Sequence, residues 1–365
     1  RCVYETGWKE TAAARQVQRD LGFLPAFLAR REDVVLLAEP VPRVHLERLV
    51  EAGIEVPELL AGDGVEELRS RKLHALHPWG RTPDAEDVAD RLGLPFERIE
   101  APLFSKAESA GLLRSLVEAS DRPLLCGLED VGLVAQTLAE VKEAAEGREV
   151  VIKAPFSTAG RDRLRKKGEG GWSKEEEAWV EQMLAQQGAV VVERWLERLM
   201  DFSTQYERRE DGILRRLGYV RLENTAAGQF LGATVPGRLA EGLDEVTRRS
   251  LFAGAQRAGH LAEFVEGELE PALEAWLASH RYTGPLGVDG MFYRGENEEV
   301  CFKPVVEINP RYTMGRVALE LARWNSGGGP TRLRIGKSAE GAEPGEVRLT
   351  PEREGAVFAA FGRFG

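Results

Sequence analysis

Apolar residues in the first third of the chain follow two patterns in turn, a helical spacing of three and four residues and the continuous runs of buried strands. A helical pattern covers about residues 12–29, a strand-like run covers residues 33–40, and a second helical pattern covers residues 42–53. Extended chain is predicted to resume at residues 54–56. Because alternating helices and strands are typical of α/β proteins, the region up to about residue 102 is predicted to be a small three-layer domain.

The middle of the chain combines helical and strand patterns with clear end signals. The predicted helices begin at Ser105, Asp130 and Ser173, and the predicted strands cover residues 123–127, 148–154 and 189–196. Ser173 and Glu176 have the spacing of a capping box, while Gly147 and Gly188 are placed to end helices. The strands are separated by helices and loops, which favours an α+β unit.

The last third is predicted to be richer in antiparallel strands. Residues 213–235 read as two or three strands, and residues 243–265 as one long helix. Two further strands, residues 287–293 and 300–309, flank the polar turn at residues 294–298 and form a predicted hairpin.

Composition narrows the function classes. A chain of 365 residues exceeds what one core usually supports, and its hydrophobic fraction of 43% is that of an ordinary globular protein without a membrane-spanning run. The 49 basic and 60 acidic residues give a net charge of −11, which disfavours nucleic acid as a partner. Cys2, Cys126 and Cys301 lack the spacing of a disulfide scaffold or a zinc site, so a cytoplasmic location is expected. The first residue is Arg, which leaves the native N-terminus open.

The predicted C-terminal hairpin holds the clearest candidate chemistry. Glu307 and Asn309 are two residues apart on one strand and therefore share a face, and Asp289 lies on the partner strand. Carboxylate and amide oxygens are suitable ligands for magnesium, and Arg311 adds a guanidinium suited to phosphate or carboxylate. The alternative is that Glu307 and Asn309 merely line the solvated face of an edge strand.

Two upstream strands end in charged residues. Lys153 closes an apolar strand and leads into the small-residue loop of residues 156–163, which suits a phosphate, although a lysine extending from a strand end into solvent explains it equally well. Glu193 lies near the end of a second apolar strand, where free backbone groups can bind an adenine edge, and Asp201 follows at a distance suited to ribose hydroxyls.

Taken in this order, the three elements resemble the ATP-grasp superfamily, over roughly residues 106–325. The resemblance implies an α/β plus α+β fold, in which an N-terminal Rossmann-like pre-ATP-grasp domain precedes a two-subdomain ATP-grasp fold. The implied units are residues 1–104, residues 105–192 with the phosphate lysines and lid, residues 193–345 with the metal site, and a C-terminal tail of residues 346–365.

The same resemblance implies a role for each matched residue. Lys106 and Lys153 are similar to the lysines that bind the nucleotide phosphates, and the segment that includes Ser157, Gly160 and Arg161 is similar to the mobile lid, with fewer glycines than many relatives. The implied adenine and ribose contacts are Glu193, Arg194, Leu196 and Asp201, and the implied metal ligands are Asp289, Glu307 and Asn309. Arg311 and Lys153 are the expected catalytic residues.

The implied activity is that of an ADP-forming carboxylate ligase that uses ATP with Mg²⁺ or Mn²⁺. A small-molecule or peptide carboxylate and a nucleophilic acceptor would be its partners, with no nucleic acid or membrane, and a homo-oligomer is compatible with this activity. A phosphotransferase acting on a small molecule and a non-catalytic ATP-binding protein are the alternatives. His77 to Gly80 and Tyr312 to Gly315 are distinctive segments to which the sequence assigns no chemistry.

Overall fold

The structure is a computed structural model that describes residues 12–157, 162–225, 228–236, 241, 243–253, 255 and 259–365. Within these residues the helices are α1 (Ala12–Leu21), α2 (Arg43–Glu51), α3 (Gly64–Leu68), α4 (Pro83–Leu92), α5 (Lys106–Ala119), α6 (Leu138–Ala144), α7 (Lys174–Gln187), α8 (Glu245–Phe252), α9 (His260–Phe264), α10 (Glu270–Ser279) and α11 (Met314–Leu321). The strands are β1 (Val34–Leu37), β2 (Glu58–Ala61), β3 (Leu133–Ala135), β4 (Val150–Lys153), β5 (Arg163–Lys166), β6 (Val190–Arg194), β7 (Glu197–Arg208), β8 (Leu214–Asn224), β9 (Phe230–Val235), β10 (Gly284–Arg294), β11 (Val300–Asn309), β12 (Thr331–Lys337), β13 (Glu346–Arg348) and β14 (Phe358–Phe364). Among these, no helix is long and apolar enough to cross a membrane.

The N-terminal region contains a small parallel sheet of β1 and β2, in which Val34 pairs with Glu58. The strand predicted at residues 54–56 is wrong, because β2 begins later. Gly53 adopts a positive φ of 75° after α2, and the amide of Ile54 donates to the carbonyl of Leu49 at 2.8 Å. Ile54 is therefore the apolar residue that closes the end of the helix, and it is fully buried.

A four-stranded antiparallel sheet in the order β3-β6-β4-β5 follows, with α6 and α7 packed against it. The helix predicted to start at Asp130 is wrong: Asp130 lies in a short 3-10 turn, and β3 comes before the helix. Thr137 and Glu140 form the capping box that starts α6. The capping box predicted at Ser173 and Glu176 is confirmed, and it starts α7.

The largest sheet of the described chain has eight strands in the order β11-β10-β7-β8-β9-β12-β14-β13. The hairpin predicted near the C-terminus is confirmed as β10 and β11, which form one edge. Residues 346–365, grouped on the sequence as a tail, supply β13 and β14 to the other edge.

The long helix predicted over residues 243–265 is wrong. Helix α8 ends at Phe252 and α9 begins at His260, and Gly259 between them has a φ of 91° that a regular right-handed helix does not allow. Residues 254 and 256–258 lie outside the described part.

Two hydrophobic cores cover the two faces of the large sheet. On one face, Phe202 packs with side chains of α5, α9 and α10. On the other, Val220 and Leu333 pack with α11 and with N-terminal residues that include Phe27 and Leu49. The N-terminal region and the large sheet therefore share one core.

Candidate active site

The two predicted acidic ligands of the hairpin face each other across its strands. Asp289 of β10 is the direct cross-strand partner of Glu307 of β11, so both side chains lie on the same face of the sheet. A β-bulge follows Asp289, where a Cβ on Gly290 would lie 2.5 Å from the Phe202 ring. Such bulges re-aim side chains beside functional sites.

Asn309 and Arg311 continue this polar surface. The Asn309 amide Nδ2 donates to Asp289 Oδ2 at 3.1 Å, and Arg311 Nη2 donates to Asn309 Oδ1 at 3.1 Å. Burial is the main cause that raises the pKa of Asp289 to about 7; the hydrogen bond from Ser203 opposes this increase, and the neighbouring Glu307 carboxylate contributes to it. A cation placed between the two carboxylates would remove their repulsion.

The site offers two carboxylates and one amide as metal ligands. No cluster of three or more His, Cys, Asp or Glu side chains suited to a metal occurs in the described ranges. Hard cations such as Mg²⁺ commonly take one or two protein carboxylates and complete their shell with water and substrate phosphates. The donor set of Asp289, Glu307 and Asn309 therefore fits Mg²⁺ bound together with a phosphate ligand.

Lys106 is held beside Glu307 by the start of α5. Ser105 caps the helix by accepting from the amide of Ala107, and the ammonium of Lys106 donates to Glu307 Oε1 at 2.9 Å. It also donates to the carbonyl of Ser157 at 2.7 Å. Deeper along α5, Ser109 Oγ accepts from the amide of Ile308 at 3.0 Å, which fastens the helix to β11.

A second charged cluster joins the small sheet to the large one. Lys153 of β4 and Glu193 of β6 lie diagonally on one face of the small sheet, and Lys153 Nζ donates to Glu193 Oε1 at 2.9 Å. Lys303 of β11 donates to Glu193 Oε2 at 2.7 Å. One buried carboxylate is thus held between two ammonium groups.

The electrostatics of this cluster follow from its burial and charge. Burial raises the pKa of Glu193, but the two lysines outweigh that effect and lower its pKa to about 2. Burial lowers the pKa of Lys153, and Glu193 opposes that shift. The ionised cluster contains two positive charges and one negative charge.

Lys303 is a functional candidate that the sequence analysis missed. It stands in the apolar run of β11, and its side chain is only 2% exposed. The signal was the same one that singled out Lys153, a lysine within buried strand residues that needs an anionic partner.

The predicted adenine segment lies where β6 passes into β7. The side chain of Glu193 is occupied by the lysines, and Arg194 bonds Asp130 at 3.0 Å and Glu296 at 2.6 Å. Leu196 lies between the two strands, outside both hydrogen-bonded ladders. Further along, Asp201 Oδ2 accepts from Arg198 at 3.0 Å and from Asn224 at 2.8 Å.

The predicted lid is only partly described. Ser157 is buried, and its hydroxyl donates to the carbonyl of Ala154 at 3.3 Å. Gly160 and Arg161 lie outside the described residues. Of this predicted segment, Ser157 lies beside Lys106, which donates to its carbonyl; the role of the segment as a lid stays a prediction.

Comparison with known proteins gives matches among solved structures. No family model matches the chain, and no curated protein matches its sequence. The biotin carboxylase domain of Hydrogenobacter thermophilus 2-oxoglutarate carboxylase, solved with MgADP, ADP and bicarbonate, is similar with a TM-score of 0.53 and 13% identity, over 92% of this chain and 87% of that one. Biotin carboxylase from Campylobacter jejuni, in a β-γ-ATP complex, has a TM-score of 0.52 and 11% identity, over 96% and 85%. N5-carboxyaminoimidazole synthetase from Staphylococcus aureus, complexed with ADP, has a TM-score of 0.50 and 10% identity, over 91% and 92%.

The chain has the ATP-grasp fold. The mixed α/β architecture predicted from the sequence is confirmed at this level. In the N-terminal region the structure describes a two-stranded parallel sheet, and the Rossmann-like detail stays a prediction. The unit boundaries and the role of each site residue also stay predictions.

Within the ATP-grasp fold, the two segments left without chemistry by the sequence come together. The amide of Tyr312 donates to the carbonyl of Trp79 at 3.0 Å, and their ring centroids are 6.4 Å apart. A Cβ on Gly80 would lie 3.9 Å from the Cβ of Arg311. The N-terminal region thus borders the candidate site beside Arg311, whereas His77 is exposed.

Proposed function

We propose that this chain is an ATP- and Mg²⁺-dependent ligase that activates a carboxylate as an acyl phosphate. The observation that supports this most strongly is the joint placement of two charge clusters on β11. Lys106 meets Glu307, and Lys303 meets Glu193 together with Lys153. An ATP-grasp fold with both phosphate-binding cations and facing carboxylates has the parts that ATP-dependent group transfer requires.

The nucleotide would lie between the small and the large sheet. Lys106 and Lys153 would bind its phosphates, and the backbone at Leu196, outside both strand ladders, would face the adenine edge. In this proposal the side chain of Glu193 contributes by holding Lys153, with which it is paired. Asp201 would accept from the ribose hydroxyls, and the segment that begins at Ser157 would cover the phosphates.

Asp289, Glu307 and Asn309 would hold the metal. When bound, Mg²⁺ would neutralise developing charge on the transferring phosphoryl group. Lys106 already contacts Glu307, so it would shift toward the phosphates as the carboxylate engages the cation.

The reaction would proceed in two balanced steps. A carboxylate oxygen of the substrate forms a bond to the γ-phosphorus of ATP while the bond from that phosphorus to the β–γ bridging oxygen breaks, which releases ADP. An amine or similar nucleophile then attacks the acyl carbon, loses a proton and displaces inorganic phosphate. Arg311, which is anchored by Asn309, would position the carboxylate or the phosphoryl group, and exclusion of water would protect the acyl phosphate.

The solved structures support this class of reaction without naming the substrate. The Hydrogenobacter thermophilus structure contains MgADP and bicarbonate, and the Staphylococcus aureus structure contains ADP. For the present chain, the identity of the acid and of the acceptor is open, because pocket shape rather than the nucleotide site selects them.

The test is ADP formation in the presence of Mg²⁺-ATP and a panel of carboxylates and amines. Glu307→Gln removes one of the facing carboxylates, so we expect turnover to fall at least about 10³-fold because transition-state charge loses its support. Glu298→Gln is the matched control, since Glu298 lies in the turn of the same hairpin and its side chain is 79% exposed. It should turn over at the wild-type rate.

Isotope transfer distinguishes the possible outcomes. A substrate labelled with ¹⁸O in its carboxylate should deliver one labelled oxygen to the released phosphate. Near-normal turnover by Glu307→Gln would remove Glu307 from the metal site. A stable phosphorylated product would instead identify a phosphotransferase, and ATP binding without turnover over the whole panel would favour a non-catalytic ATP-binding protein.

A further inference from the structure

Lys303 is the most deeply buried cation of the site, and neither the predicted nor the proposed ligand set uses it. Its side chain is 2% exposed, and its ammonium donates to Glu193 Oε2 at 2.7 Å. It lies on β11, four residues before Glu307, and reaches across to a carboxylate of the small sheet. A buried ammonium is costly to maintain, so a fixed anionic partner is required.

Glu193 is shared with a second lysine that is closer to solvent. Lys153 donates to the other oxygen, Oε1, at 2.9 Å, and its side chain is 16% exposed against 7% for Glu193. Each carboxylate oxygen of Glu193 therefore has one ammonium partner: the buried Lys303 at Oε2 and the more exposed Lys153 at Oε1. The ionised cluster has one positive charge in excess, and Lys153 is the more exposed of its two cations.

Binding of a phosphate to Lys153 would change the pairing within this cluster. Lys153 has three N–H donors, and as its ammonium turns toward a phosphate its contact with Glu193 weakens. Without another partner, Glu193 would then be a buried, uncompensated carboxylate, which is strongly unfavourable. Lys303 removes that penalty because it stays paired with Glu193 in either position of Lys153.

We propose that Lys303 is a positioning residue for nucleotide binding: as the permanent counter-ion of Glu193, it frees Lys153 to bind the phosphates of a nucleoside polyphosphate. The inference rests on the proposed function, because it takes Lys153 as a phosphate ligand. Lys303 itself contacts the carboxylate and not the nucleotide.

If Lys303 has this role, its loss should weaken binding of ligands that carry phosphates and leave binding of adenosine nearly unchanged. In Lys303→Met, Glu193 has only Lys153 as partner, and a phosphate must compete with it for the ammonium. Affinity for ATP and ADP should fall about tenfold, while affinity for adenosine should change less than about twofold. A residue that only supports the fold would weaken all three ligands together.

A double variant also removes Glu193, the carboxylate that competes with phosphate for Lys153. In Glu193→Gln combined with Lys303→Met, no carboxylate retains Lys153, so ATP affinity should return to within about threefold of wild type. Lys337→Met is the matched control, because Lys337 lies exposed at the end of β12 and should bind all ligands as wild type does.

The experiment is calorimetric titration of ATP, ADP and adenosine, with magnesium present, into the full-length wild type and these variants. Unchanged ATP affinity in Lys303→Met, an equal loss of adenosine affinity, or failure of the double variant to recover overturns the inference. If Lys303→Met does not fold, Lys303→Arg and the double variant decide, since both must bind ATP within about threefold of wild type. A wild-type protein that binds no ATP overturns the proposed function as well, whereas ATP binding by wild type with no effect of Lys303→Met overturns this inference alone.

Discussion

At the scale of single residues, the site brings several charged side chains into direct contact. Asp289 and Glu307 face each other directly across a hairpin, and Glu193 lies between two buried lysines. The facing carboxylates repel each other, and the buried ions of the second cluster lose hydration, although the two lysines more than offset that loss for Glu193. Charged groups in such surroundings are concentrated at functional sites, where a bound ligand can offset the repulsion or the lost hydration. Their presence here therefore supports a ligand-binding site.

The energetic cost of ionising the buried Asp289 carboxyl predicts how the free energy of unfolding depends on pH. Its folded-state pKa is about 7, above the ordinary value of 3.8. Stability is therefore lost as pH rises through this interval, because the unfolded carboxyl ionises first, and the whole penalty is present above pH 7. Asp289→Asn should raise the free energy of unfolding by about 2 kcal/mol at pH 8 in EDTA, allowing for partial solvent access, with little change at pH 4.

Denaturant unfolding at the two pH values measures this difference. Asp87→Asn on the exposed side of α4 is the control and should shift stability equally at both. Destabilisation of Asp289→Asn at pH 8 would show that the ionised carboxylate has a favourable partner in the free protein.

At the scale of elements, the site depends on how helix α5 is fastened to strand β11. The hydroxyl of Ser109 accepts from the amide of Ile308, and Lys106 at the start of the same helix reaches Glu307. Sequence patterns predicted both elements, because one has a serine cap and the other an apolar run ending in Glu-Ile-Asn. They did not predict the contact between them, since Ser109 lies about 200 residues from Ile308 and nothing local encodes that pairing.

Ser109→Ala tests this attachment. It leaves a buried amide of β11 without its acceptor, so we expect a loss of about 1–2 kcal/mol in the free energy of unfolding. ATP affinity should fall severalfold as well, because Lys106 moves with the helix. Ser115→Ala is the control, since Ser115 is exposed on the same helix and its hydroxyl bonds only the carbonyl of Gly111. Equal effects of the two substitutions, measured by denaturant unfolding and nucleotide titration, would contradict the account.

The two mispredicted elements have different physical causes, one from contacts distant in sequence and one from a local helix end. The helix expected at Asp130 gave way to a turn because the Asp130 carboxylate instead accepts from Arg194 and from Tyr293, which are distant in sequence. The strand expected at Ile54 gave way to a helix end that buries this residue. Distant residues thus supply the partners of Asp130, whereas the partner of the Ile54 amide is the carbonyl of Leu49, only five residues earlier.

At the scale of the whole molecule, the N-terminal region and the large sheet form one core. Leu49 of α2 and Leu333 of β12 belong to the same buried cluster, together with residues of α11. Tyr312, just before α11, and Trp79 of the N-terminal region therefore meet beside Arg311 as a result of shared packing. The boundaries of the predicted units stay predictions, and the shared core was not predictable, because periodicity shows which residues are buried but not which cores are continuous.

Leu49→Ala tests that continuity. It should cost about 3 kcal/mol in the free energy of unfolding through a cavity in the shared core, and the loss should appear in the transition that also unfolds the nucleotide site. Val50→Ala is the control, because Val50 is 64% exposed. A separate early transition that leaves ATP binding intact would show that the N-terminal region is an independent unit.

In the proposed site, a nucleotide and a metal meet between Lys153, Lys106 and the Asp289–Glu307 pair. A crystal structure with a non-hydrolysable ATP analogue and magnesium tests it most directly. We predict phosphates against Lys106 and Lys153, adenine beside Leu196, and a metal ion bound by Glu307 and by the phosphates. A nucleotide bound elsewhere would contradict the account. So would a nucleotide bound between the small and the large sheet whose metal does not touch Glu307 or Asp289.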